Sequence, residues 1–431
     1  MLNYIFDKVI EMKKIIALLL SASMVFTFTA CQNEKPVPQN KNSETIKISD
    51  GIEKENVSYS LTEKGINAAS EFAFNLLRES NNEGTNILIS PLSALSALAM
   101  TMNGAEGTTL KEMEDTFGIE RDALNTFMAS YQNVLTSGEG YKLNLANSIW
   151  FNKSGFTVNP DFLKKNASYY GADIYTAPFT DETLTDINNW VNEKTDGMIP
   201  SILESINSKE SMMILLNALS FDALWREPYW ENDVEDGSFY LENGDKITAA
   251  FLLGSENSYI ENGLAEGFIK PYKDGKYAFA ALLPKEGVKL DDLVFSLSGE
   301  EVRNMLKNPQ KCIVNTKMPK FEVSYEIELQ DILKSMGMET LFDESKADLS
   351  SLGTTDTNLY ADKVVHKTYI SLGEQGTKAG AATAVAIDKA LGMLDIEVKE
   401  VNLNRPFLYM IFDTETGIPF FVGTMKEPQN K

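Results

Sequence analysis

The sequence predicts an α+β domain, because helical patterns dominate the first half of the chain and strand patterns the second. Strands and helices do not alternate as they do in parallel β-α-β folds, and no internal repeat occurs. With 431 residues, 43% of them hydrophobic and 10% aromatic, the chain can bury a large core. We therefore expect one large folded domain.

The first 30 residues have the layout of a bacterial secretory signal peptide. Lys13 and Lys14 precede an apolar run over residues 15–28, and Cys31 follows where a lipid-modified cysteine would become the mature N-terminus. The run is shorter than the roughly 20 residues that a membrane-spanning helix needs. We expect export to the extracellular side or the cell surface, with a lipid anchor in the membrane at Cys31.

Three alternatives stay open for this segment. Phe28 stands where lipid-attachment motifs usually carry leucine, so plain secretion with cleavage nearby is one alternative. An uncleaved membrane helix is another. Met12, which two lysines follow, would make a more ordinary start than Met1.

The chain from 31 to 58 is predicted to be a flexible tether. It is polar, contains Pro36 and Pro38, and carries charges of both signs. Such a composition cannot bury enough apolar surface to fold by itself. The folded domain is expected to begin at residue 59.

Helical patterns follow the tether. Apolar residues at helical spacing occupy residues 66–77, and Ser90 then offers a helix cap before Pro91 at the first helical position, with Gly104 as the stop. Further helices are predicted near residues 110–117, 161–170 and 187–194.

Strand patterns concentrate after residue 210. Three segments have the apolar or β-branched character of strands, namely 211–219, 312–318 and 321–324. Two pairs of segments are separated by turn residues and predict hairpins: 267–272 with 277–283, and 405–412 with 419–425.

Charge and cysteine content limit the partners. The formal net charge of −23 argues against nucleic acid and heparin-like polyanions, because phosphate and sulfate groups would be repelled. Basic or neutral partners are favoured. If Cys31 is acylated, Cys312 has no partner within the chain, so no disulfide framework is expected.

Enzyme motifs are missing from the sequence. The chain has one histidine and lacks C-x-x-C, H-E-x-x-H, G-x-S-x-G and G-x-x-x-x-G-K. His366 could act as a general base only beside a nucleophile turn and oxyanion donors, which nothing in the sequence marks. We therefore expect no enzyme, no metal site and no cofactor.

A run of small residues at 374–391 has two local interpretations. Alternate positions without charge fit a strand buried on one face; they are Thr377, Ala379, Ala381, Thr383, Val385 and Ile387. The other positions include Lys378 and Asp388. The alanine content fits a helix or a flexible linker, which local sequence alone favours.

The order of several motifs along the chain resembles the serpins, protease inhibitors that trap their target by inserting a cleaved loop into a β-sheet. The motifs include Asn86-Ile-Leu-Ile-Ser-Pro-Leu-Ser93, Leu216-Asn217-Ala218 leading to Trp225, Met318-Pro319-Lys320-Phe321, His366-Lys367 and Arg405-Pro406-Phe407. The resemblance covers residues 59–428. It implies helices packed on large mixed and antiparallel β-sheets, an exposed reactive-centre loop at 374–403, and a monomeric suicide inhibitor of serine proteases.

The resemblance assigns the hinge of this loop to Glu374, Gly376, Thr377, Ala379, Gly380, Ala381, Ala382 and Thr383. Small uncharged residues there are typical of inhibitory members, since bulky or charged groups would stop a strand from threading into a sheet. A non-inhibitory serpin-fold chaperone, carrier or storage protein is the alternative. A lipid-anchored solute-binding protein or hydrolase is a third hypothesis, which does not explain the motif order.

The resemblance places the scissile bond less firmly. Counting from the hinge glycine gives Ala390–Leu391, which favours elastase-like or subtilisin-like proteases, whereas counting back from Pro406 gives a later bond. Lys389 would suit a trypsin-like protease. Leu391 or Met393 would suit chymotrypsin-like or some cysteine proteases.

Two further sets of residues follow from the resemblance. One is a hydrogen-bonded cluster under the strands that part on insertion, matched by Ser90, Ser93, Asn217 and His366. Ordinary roles as a helix cap, a core amide and a buried histidine are compatible with it. The other is a salt bridge between Lys320 and Glu374 near the top of the opening sheet.

Overall fold

The computed structural model describes residues 44–81, 84–135, 137–206, 212–356, 358–361, 364–377 and 397–428. The predicted signal peptide 1–30 and Cys31 lie outside these ranges. None of the helices within them combines the length and the apolar character that a bilayer crossing requires.

The described residues contain nine α-helices: α1 (Glu63–Ser80), α2 (Pro91–Met102), α3 (Gly107–Phe117), α4 (Arg121–Val134), α5 (Pro160–Tyr169), α6 (Asp181–Lys194), α7 (Leu290–Ser296), α8 (Gly299–Lys307) and α9 (Gln330–Ser335). All five predicted helices are present. The Thr62 hydroxyl caps α1 by accepting from the Gly65 amide at 3.1 Å. Helix α4 and the three short helices α7 to α9 were not predicted from the sequence.

The described residues also contain nineteen strands: β1 (Ile46–Lys47), β2 (Ile87–Ile89), β3 (Tyr141–Asn152), β4 (Phe156–Val158), β5 (Asp173–Ala177), β6 (Met213–Leu224), β7 (Val234–Tyr240), β8 (Lys246–Glu256), β9 (Tyr259–Glu261), β10 (Ala265–Pro271), β11 (Tyr277–Pro284), β12 (Ile313–Pro319), β13 (Phe321–Glu328), β14 (Gly353–Thr355), β15 (Val365–Leu372), β16 (Gly376–Thr377), β17 (Val398–Asn402), β18 (Phe407–Asp413) and β19 (Pro419–Met425).

These strands form one large mixed sheet and smaller sheets. The seven-stranded sheet has the order β1-β5-β3-β6-β16-β15-β13, with β3 and β5 parallel. A six-stranded antiparallel sheet, β2-β19-β18-β11-β10-β9, contains both predicted hairpins. A four-stranded sheet has the order β17-β12-β8-β7, and β4 pairs with β14. The predicted α+β class is confirmed.

Two hydrophobic cores lie on opposite faces of the seven-stranded sheet. Ile149 and Phe151 of β3 belong to the larger core, with residues of α1 and α2, whereas Trp150 belongs to the smaller core, with residues of α6. This division follows from the alternation of side chains along a strand. Burying one large apolar side chain contributes about 1.5–3 kcal/mol to stability, so α6 is held firmly on its face of the sheet.

The folded unit begins before the predicted boundary at residue 59. Strand β1 pairs with β5 at the edge of the seven-stranded sheet, and the Thr45 hydroxyl donates to the Asp186 carboxylate at 2.7 Å. The unit starts at Glu44. The tether predicted over 31–58 therefore extends too far, because a polar segment can pair through its backbone without an apolar pattern.

Candidate functional site

Strand β16 lies inside the seven-stranded sheet. Gly376 pairs with Leu224 of β6, while Thr377 pairs with Ala223 of β6 and with Leu372 of β15. Among the described residues no ladder joins β6 directly to β15. The first two small residues of the predicted hinge thus occupy a gap between these strands.

Residues 378–396 of the predicted loop fall outside the described residues. This applies to the hinge positions Ala379, Gly380, Ala381, Ala382 and Thr383, and to the scissile-bond candidates Lys389, Ala390, Leu391 and Met393. The described chain resumes at Glu397. Strand β17 then pairs in parallel with β12 of the four-stranded sheet.

Position 376 requires glycine. Its φ angle is +153°, and a Cβ atom there would lie 1.9 Å from the Ala223 carbonyl oxygen. Real Cβ atoms do not approach a backbone oxygen so closely, and residues other than glycine rarely adopt this φ angle. Gly376 therefore lets the chain enter the sheet beside β6.

The side chain of Thr377 is buried and contacts Tyr272. It is 1% exposed, and its Oγ1 lies 2.5 Å from the Tyr272 hydroxyl. Burial raises the pKa of Tyr272, while the bond to Thr377 acts in the opposite direction, so the phenol stays protonated. The Tyr272 ring stacks on Trp225 with ring centres 4.5 Å apart.

The 225–229 segment holds the backbone just before β16. The indole Nε1 of Trp225 donates to the Gly373 carbonyl at 2.9 Å. The backbone amides of Trp225 and Tyr229 donate to the carbonyls of Gln375 and Glu374, at 2.8 and 2.9 Å. Three successive hinge carbonyls are therefore fixed by one segment.

Lys320 and Glu374 form an ion pair at the same end of the sheet. Lys320 Nζ lies 2.6 Å from Glu374 Oε1, and each side chain is about one-third exposed. Burial alone would raise the pKa of Glu374, but its hydrogen bond and charge contact with Lys320 outweigh burial, so the pKa is lowered. Partly exposed pairs of this kind contribute about 1 kcal/mol or less.

Ser90, Ser93 and His366 meet further along the gap. The Ser90 amide donates to His366 Nε2 at 2.9 Å, and the Ser93 amide donates to the Ser90 hydroxyl at 3.4 Å. Burial lowers the pKa of His366 to about 4, so its ring is neutral at pH 7. A neutral ring is what lets Nε2 accept this bond.

Asn217 is placed differently from the other predicted cluster residues. Its amide donates to Asn147 Oδ1, and the Asn147 amide donates to the Tyr170 carbonyl at 3.1 Å. The Asn217 Oδ1 atom is buried without a hydrogen-bond partner. Ser93, Asn217 and His366 nevertheless line one cavity between β6, β15 and α2.

The single histidine of the chain is engaged by the backbone. His366 is 5% exposed, and its Nε2 is occupied by a backbone amide instead of a hydroxyl nucleophile. Within the described ranges no cluster of acidic, cysteine or histidine side chains could hold a metal ion. The described residues offer a strand position that β16 fills at one end, with Ser93, Asn217 and His366 among the side chains that line the cavity further along.

Sequence reasoning missed several residues of this site. Tyr272, Tyr229 and Asn147 bind the hinge or the polar cluster, and Lys270 lies beneath the 225–229 segment. Asn147 belongs to the Leu145-Ala146-Asn147 motif of the resemblance, but neither it nor the other three residues had been given a role in the site. Their roles arise from contacts between distant parts of the chain, which a pattern along the sequence does not contain.

Comparison with known families and sequences gives a consistent result. The family model described as serpin (serine protease inhibitor) matches residues 67–428. An uncharacterized serpin-like protein of Thermococcus kodakarensis is 30% identical, covering 93% of this chain and 95% of its own length. Leukocyte elastase inhibitor A of Rattus norvegicus is 30% identical, covering 82% and 96%.

Solved structures add a distinction between conformations. The native state of the thermophilic serpin tengpin is 41% identical, with a TM-score of 0.84, covering 89% of this chain and 99% of its own. The latent state of tengpin is 40% identical, covering 88% and 100%, but its TM-score is 0.76. At nearly equal identity, this chain is more similar to the native conformation.

Proposed function

Because this chain belongs to the serpin family, we propose that it is a suicide inhibitor that traps a serine protease by inserting its cleaved loop between β6 and β15. The observation that carries this proposal is the position of β16. Gly376 and Thr377 already pair with β6, and the gap beyond them has no other described strand in it. Insertion would extend an existing ladder rather than start a new one.

The register of β16 defines where later hinge residues would go. Thr377 pairs with Ala223 and Leu372. In an antiparallel ladder, six steps forward to Thr383 correspond to six steps back on each neighbour, so its partners would be Asn217 (223 − 6) and His366 (372 − 6). The hydroxyl of Thr383 could then reach Asn217 Oδ1, which has no partner in the present state.

The same register sorts the loop by face. Thr377 points into the core at 1% exposure, so residues an even number of steps away would also point inward. That set is Ala379, Ala381, Thr383, Val385 and Ile387. Lys378 would point outward, opposite Asp222 of β6. The alternation therefore suits burial of one face in the sheet.

Trapping requires chemistry from the protease alone. The protease serine attacks the scissile carbonyl and the peptide C–N bond breaks. The leaving amine takes the proton of the serine hydroxyl by way of the protease histidine, so the serine oxygen is left joined to the loop as an ester. Hydrolysis of that ester needs an intact oxyanion hole and catalytic triad. Insertion of the loop would carry the esterified protease across the sheet and distort its oxyanion hole and catalytic triad, so the complex would persist. The inhibitor supplies no catalytic residue.

The favoured target is an elastase-like or subtilisin-like serine protease. Cleavage at Ala390–Leu391 would suit a small specificity pocket, and relatives named leukocyte elastase inhibitor are consistent with it. A trypsin-like target acting at Lys389, or a chymotrypsin-like or cysteine protease acting at Leu391 or Met393, is distinguished by the cleavage site. The charge of −23 favours a basic or neutral protease surface.

The proposed location is the extracellular face of a membrane, where a monomer is anchored by lipid on Cys31 after removal of residues 1–30. Labelled palmitate should enter the wild-type chain and be lost from Cys31→Ala. Label that persists in the variant would contradict the anchor without affecting the inhibitory proposal.

The inhibitory proposal is tested by mixing residues 32–431 with elastase-like, subtilisin-like, trypsin-like and chymotrypsin-like proteases. A complex that survives denaturing electrophoresis supports trapping, and the mass of the released C-terminal peptide identifies the bond. Cleavage of the loop without any complex would indicate a non-inhibitory carrier, chaperone or storage role. Insertion also predicts that loop cleavage raises the melting temperature, and an unchanged value would exclude it.

A further inference from the structure

Lys270 and Glu256 form a buried ion pair directly under the 225–229 segment. Their side chains are 3% and 7% exposed, and Lys270 Nζ lies 2.8 Å from Glu256 Oε1. Removing two charges from water is costly, so a buried ion pair is weak evidence of a net contribution to stability. The position of this pair therefore indicates a role other than stabilising the fold.

Lys270 contacts three residues of the 225–229 segment. Its ammonium donates to the Glu227 carbonyl at 2.9 Å. It also lies 4.3 Å from the centre of the Tyr229 ring and 5.3 Å from that of Trp225, distances at which a cation attracts an aromatic face. One side chain thus contacts the middle and both ends of the segment that fixes the hinge carbonyls.

Glu256 determines where that ammonium sits. It ends β8 and pairs in register with Val314 of β12, so it belongs to the four-stranded sheet. Lys270 lies on β10 of the six-stranded sheet. The ion pair therefore joins two sheets beneath the point where the loop enters the third.

We propose that Lys270, oriented by Glu256, is a positioning residue that keeps the 225–229 segment in place to hold the first hinge residues in the gap. This rests on the proposed inhibitory function. The inhibitor succeeds only when insertion outruns hydrolysis of the acyl-enzyme. A hinge already seated in the sheet shortens insertion, so loosening the segment would divert more molecules to simple cleavage.

The control is a second buried lysine that pairs with a carboxylate. Lys426, in the turn after β19, is 4% exposed, and its Nζ lies 3.1 Å from Asp291 Oδ1. Lys270→Met and Lys426→Met each remove a buried ammonium and leave a carboxylate partner. A general loss of stability should affect both variants, whereas a positioning role belongs to Lys270 alone.

The experiment measures the moles of inhibitor consumed per mole of protease trapped, together with amide exchange at Trp225 and Tyr229. We expect Lys270→Met to raise the amount of inhibitor cleaved without trapping, per mole trapped, about threefold to tenfold, the effect of one net hydrogen bond on competing rates, and to speed exchange at both amides. Lys426→Met should change neither. If Lys270→Met does not fold, Lys270→Met with Glu256→Met leaves no unpaired buried charge and takes its place.

Unchanged exchange and an unchanged ratio in the Lys270 variant would overturn the positioning role, as would equal changes in the Lys426 variant. A wild-type protein that traps no protease would contradict the inhibitory proposal. Amide exchange then decides the positioning role by itself, because it requires no protease.

Discussion

Replacing Thr377 with arginine tests the proposed mechanism at its most confined position. Thr377 is 1% exposed, and its hydroxyl lies 2.5 Å from that of Tyr272. A guanidinium there would have to occupy the core face of the sheet or withdraw the hinge from it. We expect withdrawal, because an unpaired guanidinium in a site that is 1% exposed would lose its hydration.

The magnitude follows from the contacts that are lost. Losing the hydroxyl pair and leaving the Tyr272 hydroxyl buried without a partner costs about 1–3 kcal/mol. An unpaired charge in the sheet adds roughly 3–5 kcal/mol. Together they come to about 4–8 kcal/mol, and at about 1.4 kcal/mol per tenfold in rate even the lower value slows insertion about a thousandfold. Thr377→Val keeps the shape and loses only the first contribution.

The assay compares trapped complex with free cleaved inhibitor on denaturing gels. Wild type and Thr377→Ser, which keeps the hydroxyl, should give mainly complex. Thr377→Val should give a mixture, and Thr377→Arg should behave as a substrate that is cleaved and released. A Thr377→Arg variant that traps as much protease as wild type would refute the buried, inserting hinge.

Three more substitutions have defined outcomes. Glu374→Lys faces Lys320 with a like charge and should lower the free energy of unfolding by about 1 kcal/mol; adding Lys320→Glu should restore it in a double-mutant cycle of urea unfolding. Gly376→Ala places a Cβ 1.9 Å from a carbonyl oxygen, so the hinge should leave the sheet and amide exchange at Thr377 should accelerate. The pKa of His366 is about 4 in the folded chain against 6.5 in the unfolded chain, so protonation of its ring favours the unfolded chain. Between pH 6.5 and pH 4 the free energy of unfolding of wild type should therefore fall by about 3 kcal/mol more than that of His366→Gln. Equal falls in the two proteins, measured by urea unfolding at both pH values, would contradict this.

The fold class could be predicted because long apolar patterns dictate it. Ser90 and Pro91 marked the start of α2 by chemistry that acts within one turn. The hairpin turn through Asp274 and Gly275 was equally local, and Gly275 has the expected positive φ of +78°. Signals of this kind survive in the sequence because neighbouring residues create them.

The site could be predicted only where a motif named its residues. Alternation from Thr377 onward suggested a strand, but so many alanines made a helix or a flexible linker the interpretation that local sequence alone favoured. Nothing local showed that Tyr272 would lie under Thr377 or that Asn147 would bind Asn217. The short β1 strand was missed for the same reason, since its partner β5 lies more than a hundred residues away.

The gap between β6 and β15 is controlled at two places that act in opposite directions. At one end, Gly376 and Thr377 fill it and lower the cost of admitting more strand. Further along, the Ser90 amide bond to His366 joins α2 to β15, and Asn217 binds Asn147 on the far side of β6. Parting the strands would disturb these polar contacts in a dry interior, where unsatisfied groups are costly. If the loop inserts in the register of β16, Thr383 would arrive between Asn217 and His366 and could supply a hydrogen bond to the buried Asn217 Oδ1.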